Sequence, residues 1–205
     1  MDIMLFLNKM TPSFVSKKEV RDYPGIGKIA ASIQCQFLVR GDTKEARIAA
    51  LKSIEDRQKL GEQGKMPILH IFPEGCTTNG KIIKFKKGAF QSLRPVRPTV
   101  ITYRQSKWAV LANHIGCGFL FHSFSVCMCG FIRPNVDLLP VFAPNDFFWK
   151  NHWQEGKEEK WECFARVVRE IIASHGGFET SELGMEDKFV YRRKLKELHA
   201  KVKHE

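Results

Sequence analysis

The sequence lacks several patterns that define common classes of small protein. Its six cysteines form no CxxC pair, and no two pairs of cysteine or histidine stand at the short spacing of a zinc site. There is no low-complexity tract, no internal repeat and no secretory leader pattern at the amino terminus. We therefore expect reduced thiols in a cytosol-facing protein, and no metal site.

The composition is that of one folded domain with a strong positive charge. A chain of 205 residues, 43% hydrophobic and 27% charged, is long enough to bury one core. The net charge of +11 predicts attraction to an anionic partner such as nucleic acid, lipid headgroups or a phosphate-rich cofactor. No paired zinc ligands or aromatic RNA-binding string accompany the charge, so we expect no nucleic-acid partner.

Short apolar runs alternate with helical patterns along the chain. This alternation predicts an α/β fold with a mixed, largely parallel sheet flanked by helices. Helical spacing predicts helices at Thr43–Gln63, with Asp42 as N-cap, and at about Glu158–His175, followed by two glycines. The predicted strands are Ser13–Val15, Cys35–Val39, Pro67–Phe72, Val96–Tyr103 and Val136–Phe142.

One long segment carries no charge. Residues 108–132 contain no Asp, Glu, Lys or Arg, a length close to that of a spanning helix. Polar residues such as Asn113 and His122 interrupt its apolar surface. It therefore fits an interfacial or membrane-dipping segment better than a true span, with ordinary buried core as the alternative. Beyond a main domain of residues 1–175, residues 176–205 form a basic, helix-permitting extension.

A loop after the third predicted strand carries the most informative residues. Residues 71–80 read IFPEGCTTNG and supply a carboxylate, a flexible glycine and several hydroxyls where a strand ends. Ligands of α/β proteins bind at such strand ends. Upstream, Arg40 follows another strand, and its guanidinium suits a phosphate. Lys84, Lys86 and Lys87 add cationic groups downstream of the loop.

These segments follow one another in the order of a known set of motifs. Phe72-Pro73-Glu74-Gly75 is followed by Phe-Lys-Lys-Gly-Ala-Phe at residues 85–90, Arg40 ends a strand, and Pro98 lies within one. In this order they resemble the second, third and fourth motifs of the glycerolipid acyltransferases, and specifically the lysophosphatidylcholine acyltransferase-like branch. The similarity covers most of residues 2 to about 175.

The first motif of that family is a histidine followed five positions later by an aspartate. Asp2 and the apolar residues after it resemble that aspartate and its helix, so the histidine would stand four residues before Met1. None of the seven histidines of the chain has an aspartate five positions on. His70, on the strand that leads to Glu74, is predicted to be packed rather than catalytic.

The resemblance implies transfer of an acyl group from acyl-CoA to the free hydroxyl of a lysophospholipid. The histidine would act as general base, and Asp2 would orient and charge it. Arg40 would hold the acceptor's phosphate, and Pro98 would shape the acyl-donor side. No metal and no cofactor other than the co-substrate acyl-CoA are implied. The remaining substrate-binding residues would be Phe72, Pro73, Glu74, Gly75, Cys76 and Thr77, although the family prefers a hydroxyl residue at the position of Cys76.

The implied partners are acyl-CoA, a lysophospholipid and a membrane surface, because both substrates carry phosphate and acyl chains. The family expectation for location is the endoplasmic reticulum membrane, with the site facing the cytosol. Two alternatives stay open. One is a non-catalytic fragment or pseudoenzyme of the same fold, and the other is an acyltransferase that uses glycerol-3-phosphate or lysophosphatidic acid.

Overall fold

The computed structural model describes residues 2–39, 41, 43–78, 80–105, 124, 128 and 132–202. Helices and strands alternate along most of this part of the chain, as the sequence predicts. Two short 3-10 turns, Lys18–Asp22 and Lys87–Ala89, lie between them. The strands are β1 (Ser13–Lys17), β2 (Gln36–Leu38), β3 (Leu69–His70), β4 (Thr99–Gln105) and β5 (Ile132–Leu138). The helices are α1 (Asp2–Lys9), α2 (Ile26–Ser32), α3 (Lys44–Glu62), α4 (Asp146–His152), α5 (Lys160–Gly176) and α6 (Met185–Val202).

The strands form two sheets within the described residues. β1 lies between β2 and β3 in a parallel sheet, with Phe14 opposite His70. β4 and β5 pair antiparallel, with Thr99 opposite Leu138. The prediction of an α/β fold with a parallel sheet flanked by helices is confirmed. The sequence predicts one mixed sheet. In the described residues, however, β4 and β5 pair only with each other and form a sheet of their own.

Helix α3 covers the parallel sheet and ties two of its strands together. Its N-cap is Thr43, whose Oγ1 accepts a hydrogen bond from the Ala46 amide at 3.2 Å, one residue later than the predicted cap. On its buried side, Arg57 donates from Nη2 to the Ser13 hydroxyl at 2.8 Å and to the Pro67 carbonyl at 2.9 Å. The buried guanidinium thereby joins the start of β1 to the chain that enters β3.

The main apolar core lies beneath α5. This helix begins with a capping box between Glu159 and Glu162 and ends at Gly177, which adopts the left-handed conformation at φ +65°. Cys163 and Phe164, near the start of the helix, are completely buried. The residues packed around them include Phe90, Phe148, Ala165, Val167 and Val168. Aromatic side chains from three parts of the sequence therefore close the core on this helix.

The charge-free segment of residues 108–132 falls, apart from Phe124, Met128 and Ile132, outside the described residues. Among the helices that the structure does describe, none has both the length and the apolar character needed to cross a bilayer. The thiols of Cys35, Cys76 and Cys163 are free, with the first two half-buried.

Candidate active site

The loop that leaves β3 is a tight turn built on Gly75. Its amide donates to the Phe72 carbonyl at 3.1 Å, and its φ of +68° lies in the left-handed region. A Cβ at this position would meet the side chain of Lys86 at 3.0 Å. The Lys86 amide donates to the Pro73 carbonyl at 2.8 Å, so two parts of the chain close on one another here. The left-handed backbone therefore favours glycine at position 75, and a larger residue would also have to displace the Lys86 side chain.

The carboxylate of Glu74 is turned inward and organises this loop. Its Oε1 accepts from the Ile83 amide at 3.0 Å, and its Oε2 accepts a longer bond from the Thr78 hydroxyl at 3.4 Å. Burial raises the pKa of Glu74, while these two hydrogen bonds and the charge of Lys188 oppose the shift. The side chain thus bridges the loop from Glu74 to Ile83 and fixes its shape.

Aromatic packing joins α1 to the strand that carries this loop. The Phe6 ring lies 3.9 Å from that of His70 and 6.3 Å from that of Phe72, measured between centroids, and Phe14 stacks on Phe72 at 6.2 Å. Such ring pairs stabilise a contact beyond their area burial, by roughly 0.5–1.5 kcal/mol each. Phe6 and Phe14 are buried, whereas Phe72 is 38% exposed. The cluster therefore anchors the loop and still presents one ring to solvent.

His70 is packed within this cluster, as the sequence predicts. Burial lowers its pKa to about 4, and the nearby Asp2 carboxylate opposes that shift. The ring is neutral at physiological pH. Its contacts with three phenylalanines leave it a packing role.

Asp2 stands in the first turn of α1 and meets the antiparallel sheet. Its Oδ1 accepts a hydrogen bond from the Tyr103 hydroxyl on β4. Burial first, and then the hydrogen bond and charge of Asp2, raise the pKa of Tyr103. Phe6, four residues after Asp2 on the same helix, packs on His70 of β3, the strand that leads into the Glu74 loop. Asp2 therefore lies where α1, β3 and β4 meet.

Pro98 lies at the other end of β4. Tyr103 lies five positions further along the extended strand, roughly 16 Å away at about 3.3 Å per residue. Pro98 is buried and lines a cavity of about 290 Å³ whose walls are mainly apolar. Other lining residues are Leu139, Val141, Phe142, Ile171 and His175. The strand thus connects the Asp2 region to a separate apolar cavity.

The remaining predicted residues are distributed around the loop. Thr77 is exposed and accepts hydrogen bonds from Lys188 at both its carbonyl and its hydroxyl, and Cys76 is half-buried. Arg40 lies outside the described residues. Two of the cations predicted near the loop form ion pairs, Lys84 with Glu182 and Lys87 with Glu159.

Three contacts of this site are not predicted by the sequence analysis. Tyr103 reaches Asp2 over 101 residues, Lys188 reaches Thr77 over 111, and the Ile83 amide binds Glu74 across nine. Only the contact between Ile83 and Glu74 is local enough for a sequence pattern to indicate it, since both residues belong to the segment that begins at the Pro-Glu-Gly turn. The other two depend on how distant elements pack.

Comparison with known proteins identifies this arrangement. The family model described as Acyltransferase matches residues 1–106, just over half of the chain, and the chain belongs to this family.

Its relatives place it in a particular branch. The chain is 30% identical over 197 residues to Lysophospholipid acyltransferase LPEAT1 of Arabidopsis thaliana, covering 95% of this chain and 47% of that protein. It is 30% identical over 193 residues to Lysophosphatidylcholine acyltransferase of Drosophila melanogaster (94% and 34%). It is 31% identical over 183 residues to human Lysophosphatidylcholine acyltransferase 2 (86% and 30%). The chain spans less than half the length of these relatives, and no solved structure matches it.

Proposed function

We propose that this chain carries the site at which an acyl group passes from acyl-CoA to the free hydroxyl of a lysophospholipid. The observation that supports it most is the packing of α1, the helix that begins at Asp2, against the strand and the loop that carry Glu74. Phe6, one turn after Asp2, packs on both His70 and Phe72, so the aspartate and the loop share one end of β3. The two family motifs lie far apart in sequence, and their proximity is what a single site requires.

The proposed chemistry is general-base catalysis. A histidine four positions before Met1 would accept the proton of the acceptor hydroxyl while that oxygen attacks the thioester carbonyl, and coenzyme A would leave as its thiol. Asp2 would orient the imidazole and stabilise its positive charge, an arrangement that contributes about 10²–10⁴-fold. The Tyr103 hydroxyl occupies one side of the Asp2 carboxylate, which leaves further acceptor sites for the imidazole.

The surrounding residues are assigned to binding. Arg40 would hold the acceptor's phosphate, and the loop of Phe72, Pro73, Glu74, Gly75, Cys76 and Thr77 would position its glycerol part. Pro98 would shape the acyl-donor side, a role that its mainly apolar cavity supports. General-base transfer from a thioester, as proposed, uses no metal ion.

The setting we propose is the cytosolic face of the endoplasmic reticulum membrane. Both substrates combine anionic phosphate with an acyl chain, so a protein with a net charge of +11 suits a surface rich in them. Exposed apolar side chains such as Phe147 and Val141, at 76% and 64% exposure, add groups that such a surface would bury.

The test compares this chain with one extended through the codons upstream of Met1 at its genomic locus. Transfer of labelled oleoyl from its CoA thioester is measured to lysophosphatidylcholine, lysophosphatidylethanolamine, lysophosphatidic acid and glycerol-3-phosphate. We expect transfer to a lysophospholipid by the extended chain and loss of transfer when its upstream histidine becomes alanine. Transfer to none of the four acceptors would favour the pseudoenzyme, and preference for glycerol-3-phosphate or lysophosphatidic acid would contradict the proposed acceptor.

A further inference from the structure

The segment that follows α5 runs beside the far end of the Glu74 loop. The Ile82 amide donates to the Glu179 carbonyl at 2.9 Å, and the Ser181 amide donates to the Ile82 carbonyl at 2.8 Å. The Lys84 amide donates to the Leu183 carbonyl at 3.0 Å. Three backbone hydrogen bonds therefore flank Ile83, the residue whose amide binds Glu74.

Side chains attach the same segment to the core helix. Arg169 of α5 is buried and donates to the Ser181 carbonyl at 3.2 Å and to the Glu182 carboxylate at 3.0 Å. Glu182 also pairs with Lys84 at 3.3 Å. Exposed ion pairs contribute little by themselves, but the buried guanidinium gives this segment a fixed support. The loop is thus connected through residues 181 and 182 to α5, which has more buried residues than any other helix that the structure describes.

The near end of the loop is held by the next helix. The Gly184 amide donates to the Asp187 carboxylate at 2.7 Å, which fixes the first turn of α6. One residue later, the Lys188 ammonium donates to the carbonyl of Thr77 and, at 3.1 Å, to its hydroxyl. It lies close enough to Glu74 to act on that carboxylate electrostatically. The segment from Glu179 to Lys188 therefore contacts both ends of the turn that Glu74 bridges.

We propose that residues 179–188 belong to the acyltransferase site, where they hold the Glu74 loop in its substrate-binding shape and Lys188 serves as a positioning residue at Thr77. The backbone of the segment binds the residues on both sides of Ile83. Ile83 and Thr78 in turn bind the Glu74 carboxylate, and Lys188 binds Thr77 between them. This inference refines the proposed function, and it moves the first part of the predicted extension into the site itself. Its effect falls on acceptor binding, because the loop is assigned to the acceptor.

The test uses three single variants. Lys188→Met removes the ammonium and keeps most of the side-chain length, Lys188→Arg restores a donor, and Lys194→Met changes an exposed lysine of the same helix. Amide hydrogen exchange is measured on peptides that cover residues 73–84 and, for comparison, on α5. The KM values for lysophospholipid and for acyl-CoA are measured with the upstream-extended chain.

In Lys188→Met we expect exchange of residues 73–84 to become about two- to fivefold faster, with α5 unchanged, because a partly exposed hydrogen-bonded charge contributes up to about 1 kcal/mol. The KM for lysophospholipid rises by a similar factor and that for acyl-CoA stays constant. The melting temperature falls by about 4 °C at most, because a contact made only in the folded state also contributes to global stability. Lys188→Arg restores the wild-type values, and Lys194→Met keeps them.

Other outcomes separate this inference from the proposed function. Unchanged exchange in Lys188→Met overturns it, and a raised KM without faster exchange overturns it as well, since Lys188 would then touch the substrate itself. Faster exchange in a protein that transfers no acyl group supports the role of residues 179–188 in holding the loop and contradicts the proposed reaction.

Discussion

The core beneath α5 and the loop that carries Glu74 are held by different kinds of contact. Phe164 and Cys163 are completely buried among aromatic and aliphatic side chains. Glu74, in contrast, is half-buried. Its carboxylate accepts hydrogen bonds from the Ile83 amide and the Thr78 hydroxyl and lies near the charge of Lys188. Apolar burial stabilises the fold, whereas directional polar contacts determine the shape of the site.

Because the two regions are held by different contacts, the stability of the fold and the activity of the site can be changed separately. A change in the core alters the free energy of unfolding and leaves the site intact in the molecules that remain folded. A change in the polar contacts of the site alters the reaction with little effect on unfolding. The predictions below test that separation.

Asp2→Asn has the largest expected effect on the reaction. Asparagine keeps an oxygen that accepts the Tyr103 hydroxyl but loses the charge that supports an imidazolium. In the upstream-extended chain we expect kcat to fall by about 10²–10⁴-fold, with an unchanged melting temperature. The exposed Asp22→Asn serves as control. An Asp2→Asn enzyme with wild-type kcat would remove Asp2 from the mechanism.

Phe164→Ala has the largest expected effect on stability. Truncation of a completely buried phenylalanine costs about 3–5 kcal/mol of unfolding free energy, measured by urea denaturation. The matched change Phe147→Ala, at a side chain 76% exposed, is expected to stay within about 0.5 kcal/mol. A similar loss in both variants would contradict the assignment of the core.

His70 gives a smaller effect that depends on pH. Its folded pKa of about 4 lies below the ordinary value of 6.5, so between these values the unfolded chain binds the proton and the folded protein does not. The free energy of unfolding therefore falls as pH drops from about 6.5 to about 4, by on the order of 3 kcal/mol from this group. We expect His70→Phe to remove that part of the slope in urea titrations at several pH values. An identical slope in both proteins would show that the imidazole is not desolvated.

The sequence predicts elements whose signals are local. α3 and α5 begin and end within two residues of their predicted limits, because helical spacing and the two glycines at the end of α5 are local signals that act over a few residues. Strand limits are predicted less well. The predicted strand Pro67–Phe72 reduces to the pair Leu69–His70, and Val136–Phe142 begins four residues earlier, at Ile132, because proline and polar residues there hide the extended backbone.

The candidate site divides in the same way. The loop of Glu74 is predicted because a carboxylate, a glycine and hydroxyls follow one another after a strand. The contacts of Tyr103 with Asp2 and of Lys188 with Thr77 depend on tertiary packing over more than 100 residues, to which no local pattern corresponds. The basic extension predicted after residue 175 thus includes a lysine, Lys188, that is bound to the loop of Glu74.

The most direct test of the central claim is the rate of oleoyl transfer to lysophosphatidylcholine by upstream-extended wild type, Glu74→Ala and Glu55→Ala, the last an exposed carboxylate on α3. Loss of the Glu74 carboxylate removes the acceptor of the Ile83 amide and misplaces the loop. We therefore expect a rate lower by about 10²-fold, a melting temperature lowered by no more than several degrees, and Glu55→Ala equal to wild type. A Glu74→Ala protein that transfers oleoyl at the wild-type rate would contradict the account.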